Sequence, residues 1–101
     1  MAIVYVEEFD VGDDRSTSNY DAVAGRLDVE ANPPEGLIVH TAGFAGDQFR
    51  IVDVWETEED KTRFYDGRVL PVVMQVMADA TEGPPALPRT YSYEIHDLIT
   101  G

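Results

Sequence analysis

His40 and Asp53 are the residues whose types and spacing point to acid–base chemistry. They stand in two apolar, β-branched runs, Gly36 to Phe44 and Phe49 to Glu56, separated by Ala45-Gly46-Asp47-Gln48. Two such runs around a Gly-Asp pair predict a β-hairpin. A two-residue turn at Gly46-Asp47, or a four-residue loop closed by Phe44 and Phe49, sets one register. That register puts His40 opposite Asp53 and Ile38 opposite Trp55. Opposed side chains have Cβ atoms within ~5 Å, close enough for an imidazole–carboxylate hydrogen bond. Strand periodicity adds Ala42, Phe44, Phe49 and Ile51 to the same face. An acid in the middle of an interior strand requires a partner. In the functional reading Asp53 orients and charges His40 as a general base in an apolar cavity. In the structural reading the two groups satisfy each other and do no chemistry. A cavity beside His40 separates the two readings.

Arg68 falls in the apolar stripe of a second helix, where it is expected either to hold an anionic or enolate oxygen or to pair at the surface. Trp55, Tyr65 and Phe49 are expected to wall a substrate pocket, with core packing as the alternative. His96 shares a face with Glu94 near the end of the last strand, and only a second copy of the chain could bring it near His40. No His-x-x-x-His spacing supports a metal site, and no glycine-rich phosphate loop, nucleotide fingerprint or Ser-His-Asp order is present. The expectation is a site without metal or cofactor.

The elements that must hold these residues follow from the hydrophobic pattern. Ala2 to Phe9 is a strand. Ser18 with Asp21 has the form of a capping box and opens a helix with Tyr20, Val23, Ala24 and Leu27 on one face. The hairpin follows the connection Asp28 to Glu35. Thr57 with Asp60 starts a second helix whose stripe runs Phe64/Tyr65, Val69, Val72/Val73, Val76/Met77, Ala80. Pro71 would clash with the carbonyl of Gly67, so a kink or break is expected there. Thr81 to Pro88 reads as a stiff loop and Thr90 to Ile99 as a last strand. The order β-α-β-β-α-β, with right-handed crossovers, gives a ferredoxin-like antiparallel sheet with both helices on one face, an α+β single domain over residues 1–101. The interior strands, first and third, are apolar on both sides, and two helices cover only one. A second copy of the sheet is the expected cover, making a homodimer.

Composition narrows the partners. Twenty acids oppose seven bases in 101 residues, a net charge of −13. Such a surface repels nucleic acid and anionic lipid. There is no cysteine, signal-like N-terminus or membrane-length apolar run, so the expected location is the cytoplasm.

The layout, the segment Val52-Asp53-Val54-Trp55-Glu56-Thr57 running into the second helix, and the final Tyr93-Glu94-Ile95 strand resemble the dimeric α/β barrel superfamily, above all its small antibiotic-biosynthesis-monooxygenase-like members. The resemblance covers the whole chain. It implies a dimer and a range of activities: cofactor-free oxygenation, haem degradation, polyketide cyclisation and lactone isomerisation. Haem degraders of this fold carry a histidine ligand on the second helix, whereas Glu58 to Ala80 has none and Met74 stands near that place. The plant-type cyclases and stress-responsive members carry His-Pro-x-His there, against Asp66-Gly67-Arg68-Val69 in this chain. Two expectations remain. One is a small cofactor-free enzyme acting on an apolar or aromatic small molecule, with His40 as base, Asp53 its orienter and Arg68 an oxyanion partner. The other is a non-catalytic binding or accessory homodimer.

Overall fold

The computed structural model of the chain describes residues 1–79 and 87–101. Strand β1 spans Ile3–Asp10, helix α1 Ser18–Leu27, strand β2 Leu37–Ala45 and strand β3 Gln48–Trp55. Helix α2 (Glu58–Phe64) runs through a π-helical turn, Tyr65–Val69, into helix α3 (Leu70–Asp79), and strand β4 covers Arg89–Glu94. The strands form one antiparallel sheet in the order β2-β3-β1-β4. This is the ferredoxin-like arrangement expected from the pattern, with β1 and β3 inside. Ala80 and most of the Thr81 to Pro88 loop lie outside the described residues.

The hairpin register is the expected one where it matters. Gly46 adopts φ 60°, the left-handed conformation that a tight two-residue turn requires. Ala45 then faces Gln48, Phe44 faces Phe49, and His40 faces Asp53. Farther from the turn the expectation fails for Ile38. An irregularity between Leu37 and Val39 places Leu37, not Ile38, opposite Trp55. The extra residue bulges, Ile38 is left 37 % exposed, and the smaller offset is absorbed at the edge of the sheet, where bulges are tolerated.

The core forms where the helices meet one sheet face. Ile3, Trp55 and Phe64 are buried together, with Tyr5, Leu27, Val29, Leu37, Tyr65 and Val69 packed around them. Thr57 caps α2 as expected, its Oγ1 accepting the Asp60 N–H at 3.0 Å. At α1 the cap differs: Thr17, not Ser18, is the capping residue, and its hydroxyl donates to Asp21 Oδ2 at 2.8 Å. The Ser18 capping box does not form. Pro71 has the expected effect in a specific form. The Leu70 N–H bonds to the Tyr65 carbonyl, five residues back, and Pro71 itself offers no N–H.

The last strand is shorter than expected. Pairing with β1 ends at Glu94 opposite Ile3, and the Ile95 N–H reaches the Ala2 carbonyl at 2.9 Å. Beyond that, β1 offers nothing further to pair with, so His96 lies past the strand, exposed. Among the described residues, no helix is long and apolar enough to cross a membrane.

Candidate functional site

Three elements converge on Asp53. It lies in mid-β3, 2 % exposed, the one buried acid of the sheet interior. From the neighbouring edge strand, His40 approaches with Nδ1 at 2.6 Å from Asp53 Oδ1. From the first residue of the π-helical turn, Tyr65 donates its hydroxyl to Asp53 Oδ2 at 2.8 Å. Both carboxylate oxygens are therefore satisfied, which is the condition for keeping an acid at this depth. A carboxylate is only an acceptor, so the His40 proton sits on Nδ1 and leaves the Nε2 lone pair for another partner. That partner is Tyr20 of α1, whose hydroxyl lies 2.7 Å from Nε2. The chain Tyr20–His40–Asp53–Tyr65 links α1, β2, β3 and the π-helical turn on the helix-covered face of the sheet.

Electrostatics follow this geometry. The hydrogen bond to Asp53 pushes the His40 pKa up; partial burial opposes it, and the negative charges of Asp53 and Glu7 reinforce it. Burial also raises Glu7, which stands two positions beyond Tyr5 on the same face of β1, with the charge of Asp53 adding to the effect and Tyr65 and His40 working against it. Tyr65 is driven far up, first by burial and then by Glu7 and Asp53, so it remains a neutral donor. Burial, Asp53 and Asp21 likewise raise Tyr20. Tyr5, edge-on to Tyr65 with ring centroids 5.0 Å apart, is raised to about 12, chiefly by burial.

The structure brings together His40, Asp53 and Tyr65 of the residues expected from sequence. Phe49 joins them at one remove, edge-on to Tyr20 at 5.2 Å and to Phe44 at 5.1 Å. Trp55 is fully buried in the core against Phe64 and Tyr65, so it packs rather than walls an open pocket. Arg68 is placed elsewhere. Its Nη2 donates to the carbonyls of Leu27 (3.2 Å) and Asn32 (3.0 Å), and its guanidinium lies over Phe64. It ties the end of α1 to the π-helical turn and makes no bond to His40 or Asp53. Two members of the network, Tyr20 and Glu7, are not singled out by the sequence. For Tyr20 the signal is a phenol on the apolar face of α1, whose hydroxyl needs a partner once the helix docks. Glu7 carries the same signal as Asp53, an acid on the helix-covered side of an interior strand.

The His40 side chain is 39 % exposed. It is neither sealed in the core nor deep in a cleft. Two concavities among the described residues lie away from it: one of about 530 Å³ bounded by Met1, Ile3, Glu58 and Tyr93, among others, the other of about 260 Å³ bounded by Pro34, Arg63, Phe64 and Arg68, among others. His40 instead lies beside Tyr20, whose ring meets the Phe49–Phe44 pair at the turn end of the hairpin.

No protein-family model and no curated protein matches the sequence. Solved structures do match over nearly its full length. SnoaB, a cofactor-independent oxygenase from Streptomyces nogalater, superposes with a TM-score of 0.64 at 14% identity, covering 97% of this chain and 96% of that one. Rv0793 from Mycobacterium tuberculosis gives 0.68 at 10% identity, covering 99% and 100%. A Nitrosomonas europaea protein described as a candidate antibiotic biosynthesis monooxygenase gives 0.66 at 13%, covering 94% and 90%. At these identities the likeness is one of fold, and the strand order and helix placement described above agree with it. The chain has a ferredoxin-like α+β fold, which it shares with SnoaB and with the Nitrosomonas europaea protein.

Proposed function

We propose that the protein is a cofactor-free enzyme that removes a proton from an apolar or aromatic small molecule, the opening step shared by oxygenation, isomerisation and cyclisation. The observation that carries this reading is the 2.6 Å His40–Asp53 hydrogen bond with Nε2 turned outward to Tyr20. In the reaction, the substrate gives its proton to the Tyr20 oxygen while the Tyr20 proton moves to His40 Nε2. The electron pair stays on the substrate as an enolate or phenolate. Because Tyr20 is held above its ordinary pKa, a free tyrosinate is disfavoured and the two transfers are coupled. Asp53 stabilises the imidazolium that forms, and Tyr65 holds Asp53 in place. Arg68, bonded to backbone carbonyls, takes no part. The active form is a homodimer in the cytoplasm, its second copy covering the sheet face opposite the helices.

The test is exchange of an acidic carbon-bound hydrogen into deuterated solvent, followed by NMR over a panel of aromatic carbon acids beginning with anthrone. General-base catalysis of this kind contributes about 10²- to 10⁴-fold. The exchange rate should fall by that order in His40→Asn and in Tyr20→Phe, and by less in Asp53→Asn. Equal rates for wild type and His40→Asn across the panel would remove the base assignment. A second reading, a binding or accessory dimer, draws on the sealed Trp55 and on concavities that lie away from His40. It expects no exchange above buffer with any member of the panel.

A further inference from the structure

Removing Arg68 from the site leaves the proposed reaction without a cation for the oxygen that gains charge. The distribution of basic groups supplies another. In a chain of net charge −13, Arg50, Arg63, Arg89 and Lys61 each pair with a carboxylate, and Arg68 is bonded to carbonyls. Arg15 differs: among the described residues it has no carboxylate partner, and its guanidinium carbon lies 4.7 Å above the ring of Phe44.

The surroundings of Arg15 form a continuous aromatic surface. Phe44, 41 % exposed, meets Phe49 edge-on at 5.1 Å, Phe49 meets Tyr20 at 5.2 Å, and the Tyr20 ring lies parallel to the His40 imidazole, 6.3 Å away. The segment that carries Arg15 is anchored to the hairpin rather than loose. The N–H groups of Val11 and Gly12 both donate to the Asp47 carbonyl, at 2.9 and 3.0 Å. The nearest acid in sequence, Asp14, is engaged by the Ser16 N–H at 2.8 Å. A guanidinium over the exposed Phe44 ring, at the far end of a ring series that reaches His40 through Phe49 and Tyr20, complements a flat apolar body with an anionic edge.

We infer that Arg15, Phe44, Phe49 and Tyr20 form a binding surface for a planar aromatic compound carrying an anionic oxygen substituent, with Arg15 holding that substituent and the rings presenting the compound to His40. The inference rests on the proposed base only for its orientation toward His40. It also accounts for an acidic protein taking an anionic ligand: the field of the whole molecule repels such a compound, and Arg15, with no carboxylate partner among the described residues, offsets that repulsion locally.

The probe is 1-naphthoate, with 1-naphthamide as its neutral counterpart, titrated into the full chain and followed by backbone and aromatic NMR. Naphthoate should shift the resonances of Arg15, Tyr20, His40, Phe44 and Phe49, and Arg15→Gln should weaken it about tenfold, the scale of one charge-assisted hydrogen bond. Arg15→Lys should restore part of the affinity. Naphthamide should bind more weakly than naphthoate and equally to wild type and Arg15→Gln. Arg15 is exposed, so these variants keep the fold. Naphthoate shifts that map elsewhere, or an affinity unchanged in Arg15→Gln, would overturn the inference. Because binding is read without turnover, that result leaves the base assignment standing, and failed exchange in the His40 experiment leaves this surface standing.

Discussion

A histidine bonded to a carboxylate that is 2 % exposed titrates under opposed influences. The Asp53 hydrogen bond and charge favour the imidazolium, while burial favours the neutral ring, and the balance raises the pKa. A raised folded-state value means that protonated His40 stabilises the fold. That contribution is complete below the unfolded value of about 6.5 and is lost as pH rises through the higher folded value. The stability difference between wild type and His40→Asn, from urea denaturation, should therefore be larger at mildly acidic than at alkaline pH. Asp53→Asn should lower the His40 pKa, followed by imidazole proton shifts. Asp53→Ala should cost about 1–3 kcal/mol, because Tyr65 and His40 both lose their acceptor. A His40 titration unmoved by Asp53→Asn would contradict the pairing. This pair was legible because a tight turn fixes every opposed residue near it, and His40 and Asp53 stand close enough to the turn to precede the bulge at Ile38. Tyr20 was not, since its position depends on how a crossover helix docks on the sheet, which no local pattern encodes.

Between residue and molecule, the π-helical turn sets which side chains of the second helix face the sheet. The inward pairs Phe64/Tyr65, Arg68/Val69, Val72/Val73 and Val76/Met77 recur every four residues. In a helix of 3.6 residues per turn, each four-residue step over-rotates by about 40°, so the stripe would drift by about 120° across three steps. One residue inserted by a π-turn absorbs about 100° of that. The sequence announced a break through Pro71 but not its kind, which the four-residue repeat explains once the π-turn is seen. Deleting Gly67 should restore a regular helix and swing Phe64 and Tyr65 off Trp55 and Asp53. The expected cost is about 2–5 kcal/mol, as for loss of a buried large side chain, with the Tyr65–Asp53 bond lost. Gly67→Ala is the control. A Cβ there meets nothing within 4 Å, so the change should be neutral or stabilise by up to about 1 kcal/mol. Equal denaturation midpoints for the deletion and the wild type would show that the insertion is incidental. The α1 cap and the end of β4 were less legible. Neighbouring hydroxyls at Thr17 and Ser18 compete for one position, and a strand ends where its partner does.

At the scale of the molecule, both helices pack on one side of the sheet and leave Val4, Val6, Val39, Val52, Val54, Tyr91 and Tyr93 on the other. Val39, Tyr91 and Tyr93 are 38 %, 49 % and 54 % exposed. Toward the hairpin end this face becomes an ionic rim, with Glu8 between Arg50 (3.1 Å) and Arg89 (3.5 Å). An apolar centre with a polar border is the anatomy of a protein interface. Light scattering at micromolar concentration should give twice the chain mass, and Tyr91→Glu should reduce it to one. A single-chain mass for the wild type would remove the homodimer.

In the proposed homodimer, that valine and tyrosine face would also make quantity a condition of the fold. If folding is completed only by pairing, the melting temperature rises with protein concentration, because mass action favours the paired form. Two chains of −13 each resist meeting, and salt above roughly 0.1 M, where the screening length drops below ~10 Å, relieves that resistance. Dilution and desalting should then be interchangeable: a sample thinned until it melts early should recover its stability when salt is added, without a single new molecule of protein.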